Sequence, residues 1–172
     1  MNKTAYYFIG IGGIGMSSIA RFLLNKGALV AGYDKTCTPL TKALEDAGVL
    51  ITYNEEVEHI PVGFEAETTK VIFTPAIPAS HAQKRFFEAQ GNSLQKRAAF
   101  LGEITRDVPT LAVAGTHGKT TTTAILAHLF TATEQSFTAF VGCMVQAAQS
   151  NFISTGMDAV LVEADEFDRS FL

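Results

Sequence analysis

A loop in the second half of the chain combines residue types that can bind and transfer phosphate. Ala114–Thr121 reads Ala-Gly-Thr-His-Gly-Lys-Thr-Thr and lies between an apolar run and a stretch with helical spacing. In such loops backbone N–H groups surround the phosphates, the lysine reaches the β and γ oxygens, and the next hydroxyl can ligate Mg²⁺. The pattern therefore predicts an ATP site with Lys119 as its catalytic residue. Its predicted members are Gly115, Thr116, His117, Gly118, Lys119, Thr120 and Thr121.

The spacing of this loop departs from the usual P-loop. The pattern G-x-x-x-x-G-K-[ST] would place its first glycine at position 113, where the chain has Val113. Gly115 lies closer to the lysine, so we expect a shorter loop. His117 could act as a catalytic acid, but its place inside the loop favours a role in the loop's shape.

A second glycine-rich segment lies near the start of the chain. Gly10–Gly15 reads Gly-Ile-Gly-Gly-Ile-Gly, which fits G-x-G-x-x-G between a predicted strand and a predicted helix. The first glycine permits a tight turn, the second lets the backbone approach a diphosphate, and the third lets helix and strand pack closely. The N–H groups at the helix start would hold the phosphate charge. The segment thus predicts a diphosphate site, but not which nucleotide occupies it.

Two further features belong to this diphosphate site. Asp34 ends the second predicted strand, where an acid often bonds a ribose hydroxyl, although it could instead cap the next turn. Thr74–Pro78 follows another strand, at the edge where open α/β sheets bind ligands, although it could equally be a stiff turn. From the motif alone a nicotinamide-dependent oxidoreductase is the default, and a UDP-sugar satisfies the same chemistry. The predicted members are Gly10, Gly12, Gly13, Ile14, Gly15, Asp34, Thr74 and Ala76.

Acidic residues follow the last apolar run. Ala159–Val162 ends at Glu163, an arrangement typical of a Walker-B strand that brings a carboxylate to the metal beside a phosphate loop. We therefore predict that Thr120 and Glu163 bind Mg²⁺. Three more acids follow Glu163: Asp165, Glu166 and Asp168. Carboxylates this close together repel one another unless Arg169 or a bound cation compensates their charge, and a solvated acidic loop is the alternative.

Alternating strands and helices position these groups. Strands are predicted at 6–9, 28–33, 49–52, 70–74, 110–113, 137–141 and 158–163, and helices at 14–26, 39–48, 81–90, 95–106 and 118–132. Thr38 and Ser80 are the predicted caps of the second and third helices. The alternation is typical of βαβ units around a parallel sheet, so the expected fold class is α/β.

A domain junction is expected near residue 107, where Val108-Pro109 precedes a fresh strand. Residues 1–107 would form a Rossmann-like parallel-sheet domain, and residues 108–172 the start of a P-loop ATPase α/β domain. A P-loop sheet normally has more strands than this second part supplies. We therefore expect the chain to be a piece of a longer protein.

Composition argues against several other classes. A net charge of -4 with scattered Lys and Arg predicts no nucleic-acid partner. The apolar runs fall short of the roughly 18 residues that a membrane span needs. The two cysteines, Cys37 and Cys143, have no metal-type spacing, and we interpret them as reduced thiols in a cytoplasmic protein.

Two phosphate sites on consecutive α/β units indicate a joining reaction. An oxidoreductase does not need the ATP loop, and a GTPase or transport ATPase does not need the first glycine loop. One unit would hold a nucleotide-tagged substrate that the other activates with ATP. The segments Phe8–Ser17, Ala114–Thr123 and Glu163–Asp168 together resemble the Mur ligase family, and the resemblance extends along the whole chain.

This resemblance implies a three-domain, ATP-dependent enzyme of peptidoglycan precursor synthesis. Its first domain would bind the UDP portion of the substrate, its central domain ATP, and its C-terminal domain would help to position ATP and the amino acid. His117 and the first glycine loop resemble the members that join L-alanine to UDP-N-acetylmuramate through an acyl phosphate. The members that recycle a murein tripeptide are a close alternative. Thr74–Pro78 differs from the Ser-Ser-Ala step of many relatives.

The same resemblance implies a role for each motif. Lys119 would stabilise charge on the transferring phosphoryl group, and Thr120 and Glu163 would hold Mg²⁺. Gly10–Gly15 would anchor the UDP diphosphate. The chain alone is not expected to catalyse the full reaction.

Overall fold

The computed structural model describes residues 4–145 and 150–164 of the chain. The chain divides into two compact units after Arg97, earlier in the sequence than the junction expected near residue 107. Helix α4, Arg97–Thr105, spans this division. No helix in the described ranges is both long and apolar enough to cross a membrane.

Unit 1 is built around a sheet of five parallel strands. The strands are β1 (Ala5–Ile9), β2 (Leu29–Tyr33), β3 (Leu50–Thr52), β4 (Lys70–Phe73) and β5 (Leu94–Lys96), and the helices are α1 (Ile14–Asn25), α2 (Pro39–Asp46) and α3 (Ala82–Ala89). Their order in the sheet is β3-β2-β1-β4-β5, and every neighbouring pair is parallel. The predicted α/β class and Rossmann-like sheet are confirmed.

The direction of chain progress reverses at β1. The chain passes from β1 to β2 and β3 on one side, and then crosses to β4 on the other. Open α/β sheets bind ligands outside the carboxyl ends of the strands at such a switch point. Tyr7, Phe8, Val71 and Ile72 are fully buried on these central strands and fix the sheet in the core. The fold therefore places a binding crevice after β1 and β4.

The helix caps differ in how well they were predicted. Thr38 caps α2 as expected, and it forms a reciprocal pair of hydrogen bonds with Thr41 ahead of the first-turn proline. The predicted cap Ser80 of α3 is wrong, because His81 is the N-cap residue. The His81 N–H donates to the carbonyl of Pro78 at 3.1 Å, so the chain is still in a turn at Ser80.

Two buried amide side chains tie the loops of unit 1 to its helices and strands. The carboxamide oxygen of Gln83 accepts a hydrogen bond from the Tyr7 hydroxyl at 2.9 Å, and its nitrogen donates to the carbonyls of Asn54 and Glu56. This contact holds the segment after β3 against α3.

The second amide, Asn92, closes the long connection before β4. Its nitrogen donates to the carbonyls of Ala66, Glu67 and Thr69 at distances of 2.9 to 3.1 Å. Asn92 itself is buried. One side chain thus anchors three carbonyls of a segment that lies outside the helices and strands.

Unit 2 contains a mixed sheet of four strands beside one long helix. The strands are β6 (Thr110–Val113), β7 (Thr138–Val145), β8 (Ser150–Ser154) and β9 (Val160–Glu163), and the helix is α5 (Lys119–Ala132). The order is β6-β9-β7-β8, with β8 antiparallel to β7 and the other pairs parallel. The predicted strands and helix of this unit are confirmed, whereas β8 was not predicted.

Candidate nucleotide and phosphate sites

A cavity of about 840 Å³ opens at the carboxyl ends of the strands of unit 1. Five of the eight predicted residues line it: Gly10, Gly13, Asp34, Thr74 and Ala76. The other three predicted residues, Gly12, Ile14 and Gly15, are not among its lining residues. The rest of the wall comes from Tyr33, Lys35, Tyr53, Asn54, Glu55, Ile77, Pro78 and His81.

The first glycine of the loop makes the tight turn that was predicted. Gly10 has φ +89°, a left-handed conformation that favours glycine, and its N–H donates to the carbonyl of Tyr33 at 2.8 Å. A Cβ on Gly10 would lie only 2.5 Å from Cγ2 of Thr74. The turn therefore brings the ends of β1, β2 and β4 together.

The second glycine makes room for Asp34. The Gly12 N–H donates to Oδ2 of Asp34 at 2.7 Å, and a Cβ on Gly12 would lie 2.7 Å from the same oxygen. The Thr36 N–H donates to Oδ1 at 3.1 Å, so the carboxylate caps the turn after β2. At this glycine the backbone approaches a carboxylate; its approach to a diphosphate stays a prediction. A contact of Asp34 with ribose stays a prediction.

The third glycine lies against a guanidinium. A Cβ on Gly15 would lie 2.8 Å from Nη1 of Arg97, so this position admits the arginine side chain. By contrast, a Cβ on Gly13 would meet nothing nearer than 3.6 Å. Gly13 is the N-cap of α1, and no side chain caps that helix. The protein's own packing does not require glycine at position 13, whose missing side chain instead leaves the cavity open.

Three wall residues, Tyr53, Glu55 and His81, carry no motif and were missed from the sequence. The Tyr53 hydroxyl donates to Oγ1 of Thr41 at 3.0 Å, and burial raises the pKa of Tyr53 to about 12. Only their position around the cavity identifies these residues, because Tyr53 and Glu55 lie in one segment and His81 in another that is distant in the sequence.

His81 is enclosed by the other residues of the wall. Its ring packs edge-on against Tyr33, with centroids 4.6 Å apart, and its Nε2 lies 3.8 Å from Oε2 of Glu55. Burial lowers the pKa of His81; the nearby Glu55 carboxylate raises it, and Lys84 lowers it further. The ring is therefore neutral near pH 7.

In unit 2 the predicted phosphate loop, Ala114–Thr121, leads into the start of α5. Gly118 is the N-cap residue, with φ +79°, and the helix begins at Lys119. A cavity of about 240 Å³ is lined by six of the seven predicted residues, Thr116–Thr121. The seventh, Gly115, accepts a hydrogen bond from Nζ of Lys119 at 2.7 Å through its carbonyl oxygen. The loop therefore leaves open space beside the helix N-terminus, where anions bind favourably.

The structure brings the two predicted metal ligands together. Oγ1 of Thr120 donates to Oε2 of Glu163 at 3.0 Å, because Glu163 ends β9 and β9 lies directly beside β6. The Gly142 N–H donates to the other carboxylate oxygen at 2.7 Å. A Cβ on Gly142 would lie 2.7 Å from Oε2, so this missed residue admits the carboxylate.

A hydroxyl and a carboxylate fit the preference of Mg²⁺ for oxygen ligands. Within residues 4–145 and 150–164, no group of three or more His, Cys, Asp or Glu side chains could hold a metal by itself. Mg²⁺ usually keeps several waters and binds through one or two carboxylates and substrate phosphates, so two protein ligands are enough. Asp165, Glu166, Asp168 and Arg169 lie outside the described residues.

Comparison with known proteins decides the family. The family model described as "Mur ligase family, catalytic domain" matches residues 5–108, which is more than half of the chain. This chain belongs to the Mur ligase family. The resemblance seen in the three motifs is thereby confirmed.

Curated members of the Mur ligase family match nearly the whole chain. The UDP-N-acetylmuramate–L-alanine ligase of Flavobacterium johnsoniae is 51% identical over 166 residues, which cover 96% of this chain and 37% of that protein. The ligase of the same name from Parabacteroides distasonis is 47% identical over 174 residues, covering 99% and 38%. The chain thus spans little more than a third of the length of these relatives.

Solved structures of Mur ligases share the fold. The UDP-N-acetylmuramate–alanine ligase from Thermotoga maritima superposes with a TM-score of 0.83 at 28% identity, covering 92% of this chain and 36% of that one. The UDP-N-acetylmuramate:L-alanyl-γ-D-glutamyl-meso-diaminopimelate ligase from Neisseria meningitides superposes with a TM-score of 0.84 at 22% identity, covering 97% of this chain and 54% of that one. At that identity the second likeness shows the fold alone.

Proposed function

We propose that this chain carries the nucleotide-binding parts of an ATP-dependent ligase that joins L-alanine to UDP-N-acetylmuramate in peptidoglycan precursor synthesis. The observation that carries the proposal is the presence of two separate glycine-containing loops at helix N-termini, one in each unit and each lining a cavity, within a Mur ligase chain. Relatives about half identical to the chain bear the name of that ligase. The substrates would be UDP-N-acetylmuramate, L-alanine and ATP, with Mg²⁺ as the metal.

The proposed reaction has two displacement steps. An oxygen of the muramate carboxylate attacks the γ-phosphorus of ATP, and ADP leaves to give an acyl phosphate. The amine of L-alanine then attacks the acyl carbon, loses a proton, and phosphate leaves. Positioning and electrostatic stabilisation supply most of such catalysis.

Each loop has a defined task in this scheme. Lys119 stabilises charge on the transferring phosphoryl group, and the N-terminal N–H groups of α5 bind the phosphates. Thr120 and Glu163 are the residues that would hold Mg²⁺, which supplies positive charge beside the phosphate oxygens. Gly10–Gly15, at the start of α1, anchors the UDP diphosphate.

The alternatives to this proposal have less support. A ligase for a murein tripeptide is the nearest, but the solved structures of that type match at 22% and 24% identity and support only the fold. A nicotinamide-dependent oxidoreductase has no support from the family or from the second phosphate loop. A cytoplasmic location stays a prediction.

Calorimetry of the 172-residue chain tests the substrate class. We expect UDP-N-acetylmuramate to bind in the unit 1 cavity and NADH to bind much more weakly or not at all. A preference for NADH would refute the proposal. Phosphate release by the product of the complete reading frame, dependent on L-alanine rather than on the tripeptide, separates the two ligase types.

A further inference from the structure

The carboxylate of Asp34 is bonded to the glycine loop itself. The Gly12 N–H donates to Oδ2 at 2.7 Å and the Thr36 N–H donates to Oδ1 at 3.1 Å, so each carboxylate oxygen already accepts a hydrogen bond from the backbone. Bonds from N–H groups to a carboxylate are charge-assisted and stronger than those between neutral groups. By comparison, the Gly13 N–H reaches the carbonyl of Gly10 at 3.3 Å. Asp34 is therefore a strong tie between the loop and the end of β2.

Helix α2 holds the loop from its other side. A Cβ on Gly12 would lie 2.8 Å from Cγ2 of Thr41, so the glycine packs directly against this threonine. Thr41 is fully buried, its N–H donates to Oγ1 of Thr38, and its own Oγ1 accepts a hydrogen bond from the Tyr53 hydroxyl. Gly12 is thus fixed between the carboxylate of Asp34 and a buried methyl group that cannot easily move.

The N–H groups of the loop are divided between two tasks. Gly10 and Gly13 are among the described residues that line the cavity, whereas Gly12 is not. The N–H of Gly12 points to Asp34 and is used inside the protein. No described side chain caps α1, and its first turn carries no acidic residue. The N–H groups at this helix start are therefore the ones placed for a phosphate.

We propose that Asp34 is a positioning residue, which holds Gly12 so that the N–H groups that follow it face the diphosphate of the substrate. This assignment rests on the proposed function and differs from the predicted contact of Asp34 with ribose, in which the carboxylate would touch the nucleoside. Asp34 acts on the diphosphate through the glycine loop. Its loss should therefore weaken binding of the diphosphate and leave binding of the nucleoside unchanged.

Nuclear magnetic resonance titration of the 172-residue chain with uridine and with UDP tests this role. Asp34→Ala should weaken UDP binding about tenfold, the factor for one charge-assisted hydrogen bond, while uridine binds as before. Removing a negative charge would by itself strengthen diphosphate binding, so the expected loss has the opposite sign to a simple charge effect. Asp34→Asn keeps an oxygen for the Gly12 N–H and should recover most of the loss. Asp46→Ala removes the same charge from the exposed end of α2 and should change neither affinity.

Two results with Asp34→Ala would overturn the assignment. An equal loss of uridine and UDP affinity would show that Asp34 contacts the nucleoside or supports the whole fold. Unchanged or tighter UDP binding would show that the loop keeps its geometry without the carboxylate. Either result, with a parent chain that binds UDP, leaves the proposed function standing. A parent chain that binds neither ligand would contradict the proposed function as well.

A measurement on the parent chain covers the cases in which Asp34→Ala does not fold or uridine binds too weakly to titrate. Hydrogen exchange, resolved to single amides, reports which N–H groups are already bonded. The Gly12 amide should be protected before UDP is added, and UDP should add protection only at the residues that follow it. New protection of the Gly12 amide by UDP would show that this N–H binds the ligand, and would overturn the assignment.

Discussion

Lys119 folds back onto its own loop, with Nζ donating to the carbonyl of Gly115 at 2.7 Å. In the proposed reaction the same ammonium group stabilises the transferring phosphoryl group. Lys119→Ala should therefore lower alanine-dependent phosphate release by about 10²–10³-fold or more, in the product of the complete reading frame. Lys42→Ala, an exposed change on α2, should leave turnover unchanged. Near-normal turnover in Lys119→Ala would remove the catalytic role.

Two adjacent glycines of the first loop should respond differently to the same substitution. Gly13→Ala meets no close atom and should cost less than about 1 kcal/mol of stability as an N-cap change, while it weakens UDP binding. Gly12→Ala would bring Cβ to 2.7 Å from Asp34 and 2.8 Å from Thr41, so it should destabilise the fold by about 1–3 kcal/mol. Denaturant unfolding and calorimetry of both variants separate these effects. The opposite pattern would show that Gly13 has a packing role.

The lowered pKa of His81 makes the stability of unit 1 depend on pH. The unfolded chain takes up a proton on this residue below about pH 6.5, whereas the folded chain resists it because the ring is buried. Stability contributed by the neutral ring is thus present above that pH and falls as the pH drops toward the lower folded pKa. Denaturant unfolding between neutral and mildly acidic pH should show a smaller loss for His81→Asn than for the parent. Parallel curves would contradict this.

Among single residues, the sequence predicts those that belong to motifs. It misses those whose importance comes from the residues beside them in the fold. Lys119, Thr120 and Glu163 were found from their spacing after apolar runs. His81 and Gly142 were not, because a lone histidine or glycine has no distinctive pattern. Their roles come from what lies beside them, a cavity in one case and a carboxylate in the other.

Among the strands of unit 2, β7 and β9 meet so closely that Glu163 fits only beside a glycine. Gly142→Ala should displace the carboxylate, because its Cβ would lie 2.7 Å from Oε2 and 2.9 Å from Oε1. We expect several-fold weaker Mn²⁺ binding in the presence of ATP, measured by electron paramagnetic resonance. Gly102→Ala on α4 is the matched control, since a Cβ there meets nothing within 4 Å. Equal metal binding by both variants would show that Glu163 adapts.

Elements without an apolar run escaped prediction. Gln95 and Lys96 were placed in the predicted helix 95–106, yet Leu94–Lys96 forms β5 because pairing of Val71 with Leu94 completes the edge of the sheet. Ser150–Ser154 forms β8, whose polar residues hide the pattern of a strand, and its antiparallel pairing with β7 departs from the βαβ rule. Tertiary pairing decides short strands of this kind more than local propensity does.

For the molecule as a whole, the two proposed phosphate sites lie in separate compact units. A ligand stabilises the unit that binds it, by about 2.7 kcal/mol at a hundred times its dissociation constant. Hydrogen exchange should therefore show that UDP protects amides around Gly10–Gly15, and that ATP with Mg²⁺ protects amides around Ala114–Thr121. Protection of both segments by either nucleotide alone would contradict this separation.

The fold class was predictable because strands and helices alternate along most of the chain. The point where the units divide was less accessible, since Arg97 begins a continuous helix that carries no break in the sequence pattern. The boundary expected from Val108-Pro109 marks the passage from α4 to β6. The division after Arg97 marks instead where residues stop contacting unit 1 and begin to contact unit 2. The order of strands and helices can thus be predicted from the periodicity of apolar residues. The limits of a compact unit cannot, because they depend on long-range packing.

The amide of Asn92, which binds three carbonyls, makes the loop before β4 sensitive to a chemical change in one side chain. Hydrolysis of that amide to a carboxylate, the slow deamidation common in stored proteins, would replace an N–H donor by an oxygen facing the carbonyls of Ala66, Glu67 and Thr69. Repulsion would then release the connection that leads into β4. Ageing of this one side chain should loosen a loop that does not line the unit 1 cavity. Mass spectrometry would follow the deamidation, and limited proteolysis the loosening.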